Sequence, residues 1–279
     1  MLLLRKNIPS LVLGVLSLSL LACATLTGAP ATPTLPPPTE PPLPTISVPT
    51  SSPEPVFTPT PEALLLDQTV FLTTVEISET NSSPLYTLHV ETPVMQGSDD
   101  PRVTDFNEAV AALVQEEVAA FKEAAPEALD TPEGSSFDVS FAVISPPGDL
   151  VSLQFAITGY SAGAAHPYHY TRTFNYQLST GRELTLAQLF LPGADYLKVM
   201  ADYCRAELQQ RLGDDFFVDG ADPKPENYHN WNLSSEGLII TFDEYQVAPY
   251  AAGPQTIAIP YKVLEGVVDP QGPVAALLS

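Results

Sequence analysis

Residues 137–158 read Phe-Asp-Val-Ser-Phe-Ala-Val-Ile-Ser-Pro-Pro-Gly-Asp-Leu-Val-Ser-Leu-Gln-Phe-Ala-Ile-Thr. Phe137–Ile144 and Leu150–Thr158 are rich in β-branched and aromatic residues, and Pro146-Pro147-Gly148-Asp149 between them is a strong turn signal. Strands paired across such a turn point to an antiparallel sheet.

The same signals recur on both sides. Thr69–Ile77 and Leu85–Glu91 read as strands around Asn81-Ser82-Ser83-Pro84, His169–Leu178 as a strand closed by Ser179-Thr180-Gly181, and Leu238–Phe242 and Thr256–Ile259 as late strands. A helix is predicted over Asp105–Glu123, where Phe106, Val110, Leu113, Val114, Val118 and Phe121 fall on one face. A second is predicted over Asp195–Leu212, with Tyr196, Val199, Met200, Tyr203, Leu208 and Leu212 inward and Gly213 as its stop. Thr185–Phe190 reads as a helical turn. Together these predict an α+β fold, an antiparallel sheet with two long amphipathic helices packed on one face.

The N-terminal part of the chain has a different character. Arg5 and Lys6 precede an apolar run from Leu11 to Leu21, too short for a membrane-spanning helix but suited to an export signal. Leu20-Leu21-Ala22-Cys23 resembles the lipobox of bacterial lipoproteins, which implies cleavage before Cys23 and diacylglycerol on its thiol. Residues 30–61 hold 13 prolines among Thr, Ser and Glu, a composition that favours extended polyproline II and builds no core. The expected organisation is a signal over 1–22, a disordered Pro/Thr-rich stalk over 23–63, and a globular region in two halves, 64–170 and 171–279. The expected place is the extracytoplasmic side of the cell membrane, held through the lipid anchor.

The chain has 279 residues and a formal net charge of −22. Loss of residues 1–22 would bring that to −24, because Arg5 and Lys6 leave with them. Such acidity excludes nucleic acid as a phosphate-bound partner and suits attraction of cationic proteins over about 10 Å at ordinary salt. It serves solubility equally well. Cys204 is the only other cysteine, so a disulfide framework is excluded and Cys204 is expected to behave as a small buried apolar residue.

Two stretches carry a family resemblance. One runs from Tyr160-Ser161-Ala162-Gly163-Ala164-Ala165-His166-Pro167 to Asn175-Tyr176-Gln177-Leu178-Ser179-Thr180-Gly181-Arg182-Glu183-Leu184-Thr185-Leu186-Ala187-Gln188-Leu189-Phe190. The other runs from Gly237-Leu238-Ile239-Ile240-Thr241-Phe242-Asp243-Glu244-Tyr245-Gln246-Val247-Ala248-Pro249-Tyr250-Ala251-Ala252-Gly253 to Ile259-Pro260-Tyr261. They resemble the extracytoplasmic domain of the lysozyme-sensing anti-sigma factor RsiV, a domain type also found beside the catalytic domain of some peptidoglycan deacetylases. Tyr86–Val94 and the helix near Asp105 are similar to the companion half of that family. The sequence shows no sigma-binding segment and no deacetylase domain, so the resemblance implies recognition at the cell surface and neither of those activities. A cationic secreted protein of the lysozyme type, or peptidoglycan, is the implied partner.

Several side chains are candidates for chemistry. Gly159-Tyr160-Ser161-Ala162-Gly163 has the G-x-S-x-G spacing of a nucleophile elbow, which needs a helix after the serine; Pro167 and the aromatic run behind it predict a turn instead. His166 and His169 could offer two metal nitrogens, with His229 and Asp243 as further ligands only if the fold brings them together. Asp214, Asp215, Asp219 and Asp222 lack the spacing of a calcium loop and read as a solvated acidic segment. No metal or other cofactor is expected. His166, Tyr168, His169, Asp243, Glu244, Tyr245 and Tyr250 form the candidate binding surface, mixing aromatics that grip a partner with carboxylates that attract a basic one. The alternative is a glycan-acting enzyme using the carboxylates of Asp243 and Glu244.

Overall fold

The computed structural model describes residues 70–125, 131–144 and 149–278. The export segment, Cys23, the proline-rich stretch and the turn at Pro146-Pro147-Gly148 lie outside these residues.

Strand β1 (Phe71–Ser82) and strand β2 (Leu85–Gln96) form a long antiparallel hairpin. Helix α1 follows at Pro101–Ala124, with Asp100 as its N-cap; the Asp100 carboxylate accepts from the Arg102 amide at 2.9 Å. A capping Asp followed by Pro in the first turn satisfies the helix's orphan amides and pre-sets its φ, so the helix begins earlier than its apolar stripe. Val103, Phe106, Val110, Val114, Glu117 and Phe121 are its buried residues. Strands β3 (Ser135–Val143), β4 (Leu150–Tyr160), β5 (Tyr168–Gln177) and the two-residue β6 (Arg182–Glu183) complete a sheet ordered β1-β2-β3-β4-β5-β6.

The main sheet departs from the all-antiparallel expectation. β2 and β3 run parallel, from Tyr86 opposite Ser135 to Val90 opposite Val139. Parallel neighbours need a crossover of a dozen or more residues, and α1 supplies it. The other adjacent pairs are antiparallel. The sequence offered the cue as strand, helix, strand; read as hairpins alone, it hid the crossover.

The second half folds around a separate sheet. Helix α2 (Tyr196–Leu212) is followed by short 3-10 turns, then strands β7 (Trp231–Leu233), β8 (Gly237–Phe242) and β9 (Gln255–Pro260), antiparallel in that order. Met200, Ala201, Cys204 and Leu208 of α2 pack against the buried face formed by Leu233, Leu238, Ile240, Phe242, Ile257 and Ile259. The first core is distinct: Phe106, Val110 and Phe121 of α1 meet Val90, Leu153, Phe155 and Phe174 of the main sheet. Each fully buried aliphatic or aromatic side chain contributes roughly 1.5–3 kcal/mol.

The expectation of two long helices on one face of one sheet is therefore corrected: the helices do not share a face, and only α1, with 24 residues, is long, α2 having 17. Each covers its own sheet, and the sheets meet on their other faces through polar groups. Ser152 Oγ donates to Asn175 Oδ1 at 2.7 Å, and Asn232 Nδ2 donates to Ser152 Oγ and to the Leu153 carbonyl at 2.9 Å. Asn175 Nδ2 donates to the Trp231 carbonyl at 2.8 Å, and Gln154 Nε2 to Thr241 Oγ1 at 3.0 Å. These contacts put β5 beside the end of β8, where the candidate residues lie. No described helix is long and apolar enough to cross a membrane.

Candidate functional site

β4 and β5 are joined by a turn over 161–167, in which the Ala164 amide donates to the Ser161 carbonyl at 2.9 Å. Gly163 sits at φ 86°, a backbone that glycine adopts freely. No helix follows Ser161, so the strand-to-helix geometry of a nucleophile elbow is missing here. Gly159 has its own structural reason: a Cβ there would lie 2.1 Å from the Tyr168 ring.

Across from this turn stands the loop that follows β8. Thr171 N donates to Asp243 Oδ1 at 2.8 Å, and His169 Nδ1 lies 2.9 Å from Glu244 Oε1. The Tyr250 hydroxyl donates to the Pro167 carbonyl at 3.1 Å. The rings of His166 and Tyr250 are 4.3 Å apart, and those of Tyr245 and Tyr250 are 5.6 Å apart. His166, His169, Glu244, Tyr245 and Tyr250 thus form one cluster at the junction of the two segments.

Tyr245 carries the least ordinary geometry. Its φ is 63°, among the described residues the single non-glycine value in the left-handed region, and the residue is 58% exposed. A bulky L-residue there costs about 1 kcal/mol or more and persists only where its surroundings over-determine it. Gln246 does that work. Its Oε1 accepts from the Asp243 amide at 3.1 Å, and its Nε2 donates to the Gly220 and Asn227 carbonyls, each at 3.0 Å. The loop is braced from beneath while the Tyr245 ring is held in solvent.

Two of the predicted residues play other parts. Asp243 has both oxygens engaged, Oδ1 by Thr171 N and Oδ2 by Asn230 Nδ2 at 2.9 Å, with His229 Nε2 at 3.7 Å. It ties β5 to the second sheet. The Asp243 carboxylate at that distance is also the main cause of a raised His229 pKa. Tyr168 belongs to the opposite face of β5, because side chains alternate along a strand. It stacks on Tyr170 at 6.1 Å, away from the His169 side.

That other face holds a group the sequence reading missed. Glu117 of α1 is 5% exposed. It accepts from the Tyr170 hydroxyl and from Arg172 Nε, each at 2.5 Å. Burial first, and this carboxylate second, push the Tyr170 hydroxyl pKa well up. Glu117 continues the inward spacing of Phe106, Val110 and Val114, so a charged residue on an apolar stripe was the available signal.

Metal and calcium candidates resolve differently. Among the described residues, no group of three or more His, Cys, Asp or Glu is placed to hold a metal ion. His166 Nδ1 lies 2.7 Å from the Pro167 carbonyl, and His229 Nδ1 lies 2.6 Å from that of Glu226. Asp222 pairs with Arg205 and with Lys224, while Asp214 and Asp215 sit in an exposed 3-10 turn.

Residues 187–262, which hold β7, β8, β9 and the loop bearing Tyr245 and Tyr250, match a family described as a protein of unknown function, DUF3298. The chain carries a DUF3298 domain. A crystal structure of a DUF3298 family member from Bacteroides fragilis superposes with a TM-score of 0.59 at 18% identity, covering 75% of this chain and 97% of that one. That likeness is one of fold. The peptidoglycan-N-acetylmuramic acid deacetylase PdaC of Bacillus subtilis is 28% identical over 145 residues, 50% of this chain and 31% of PdaC. An esterase of Mycobacterium tuberculosis, Rv3036c, is 29% identical over 101 residues, 35% of this chain and 44% of the esterase. The chain thus spans less than half the length of these curated relatives.

Proposed function

We propose that this protein is a lipid-anchored extracytoplasmic binding module, and that the loop after β8, with the β4–β5 turn beside it, presents its recognition surface. The observation that carries this reading is Tyr245, exposed and held in left-handed backbone beside Tyr250 and His166. Aromatic side chains fixed on a braced loop supply contact area with little entropy left to lose on binding. The ligand is a cationic secreted protein of the muramidase type or a cell-wall component, as the resemblance to the lysozyme-sensing anti-sigma factor implies. The acidic charge of the chain suits a basic partner.

A second reading is an enzyme acting on wall glycans, favoured by the partial likeness to PdaC. The occupancy of both Asp243 oxygens by neighbouring donors speaks against that carboxylate as a free base. Incubation of the full chain with peptidoglycan separates the two readings: released sugar or acetate that is lost in Glu244→Gln supports the enzyme.

Anchoring is tested by metabolic labelling with a radioactive fatty acid. Cys23→Ala is expected to abolish lipid incorporation and to shift the protein out of the membrane fraction. Retained label in that variant refutes the lipid-anchor reading.

A further inference from the structure

The hairpin at the far edge of the main sheet is built differently from the rest of the surface. β1 pairs with β2 alone, and among the described residues nothing pairs with its outer edge. It is 12 residues long and holds neither lysine nor proline, two of the devices that keep edge strands from accepting another chain. Phe71, Val75 and Ile77 are exposed on it, Ile77 by 53%.

Helix α1 covers β2 but leaves β1 overhanging. The result is an apolar groove of about 520 Å³, with Val75 and Ile77 on one wall, Val90 and Val94 on the floor, and Val114 and Val118 of α1 on the other wall. On the opposite face of the same hairpin Thr74, Glu76 and Ser78 of β1 are exposed, with His89 and Glu91 of β2 opposite them. Glu76 stands directly across from Glu91, and neither forms an ion pair with a described residue. Like charges opposed across a strand pair destabilise it until a cation enters between them.

We propose that β1 is a docking edge for an extended basic segment of another protein, which adds to the sheet as a further strand. Strand addition satisfies the edge's backbone groups, which no described residue pairs, and leaves specificity to alternate side chains. Apolar residues of the incoming strand extend over Val75 and Ile77 into the groove. The residues between them, lysine or arginine, meet Glu76 and Glu91 on the reverse face. The required pattern is therefore alternating apolar and basic. This surface is separate from the Tyr245 loop, since β5 lies four strands away, roughly 19 Å at ordinary strand spacing.

The probe is a labelled decapeptide of alternating valine and lysine, titrated against the full chain with fluorescence anisotropy and backbone hydrogen exchange. Saturable binding is expected, with new amide protection confined to β1. Ile77→Lys is expected to weaken it at least tenfold, and Glu76→Gln several-fold with a flatter salt dependence. Both positions are exposed, and unchanged circular dichroism verifies the fold of each variant. Tyr250→Ala is expected to leave peptide binding unchanged, so this inference and the loop reading fail independently. No binding, protection outside β1, indifference to Ile77→Lys, or equal binding of a valine–glutamate peptide overturns the proposal. So does β1 protection that rises with protein concentration alone, which would give the edge to a second copy of this chain.

Discussion

Nδ1 of His169 on β5 lies 2.9 Å from Oε1 of Glu244 in the loop after β8, linking segments 75 residues apart in sequence. The link joins the two stretches that carry the family resemblance and sets the Tyr250 ring beside both histidines, 4.3 Å from His166 and 6.4 Å from His169. A surface assembled this way depends on both halves of the fold.

Tyr245 is expected to trade stability for function. Tyr245→Gly removes the penalty of a side chain at φ 63° and should raise stability by up to about 1 kcal/mol. The same change removes an exposed ring, and binding at the loop should fall. Urea denaturation and ligand titration on the one variant check both halves. A destabilised variant with unchanged binding contradicts the assignment.

His229 gives the site a pH dependence of known sign. Its folded pKa is raised by the Asp243 carboxylate 3.7 Å away, so the protonated form is the one the fold favours. The stabilisation is fully present below the unfolded value near 6.5 and is lost as pH rises through the raised folded value. Melting temperatures should thus drop between pH 6 and pH 8 by more in the native chain than in His229→Gln. Equal drops would remove the coupling to Asp243.

Cys204 is expected to be chemically silent. It is fully buried in the α2 core, and burial pushes its thiol pKa up to about 12. A thiol-specific reagent at pH 8 should leave it unmodified in the folded chain and label it once denaturant is added. Fast labelling without denaturant would mean that α2 is not seated as described.

The start of α1 rests on one carboxylate. Arg102 holds the Asp100 pKa down to about 2, through a side-chain and a backbone hydrogen bond. Asp100→Ala should cost about 1 kcal/mol and Asp100→Asn less, since the amide oxygen still caps. The carboxylate's contribution is present above pH 3.8 and fades as pH falls toward 2. Acid titration of both variants beside the native chain measures it.

Where the sequence was legible, local rules were enough. β-branched and aromatic content around a Pro-Gly turn placed the strand Leu150–Thr158, whose Leu153, Phe155 and Ile157 are buried, and helical spacing placed Phe106, Val110 and Phe121 inward. Topology was harder. The parallel pairing of β2 with β3 is set by the path of α1, which no single window encodes. β7 has only three residues, Trp231–Leu233, too few to show a period. At the site, the structure brings His166, His169, Glu244, Tyr245 and Tyr250 of the candidate surface together. Tyr168 does not join them, because a shift of one residue along β5 reverses the face. Asp243 turned out to be a tie between elements, a role that depends on partners as distant in sequence as Thr171.

Recognition through the Tyr245–Tyr250 loop is measured by biosensor binding of the full chain to a lysozyme-like muramidase. The measurement is made at two salt concentrations, beside a non-muramidase protein of matched basicity. Selective binding to the muramidase is expected, with an association rate that falls with salt. Tyr250→Ala should weaken binding by about thirtyfold, corresponding to roughly 2 kcal/mol, while Tyr168→Ala should change it little. Equal binding to the control protein, or a Tyr250→Ala variant that binds like the native chain, would contradict recognition through this loop.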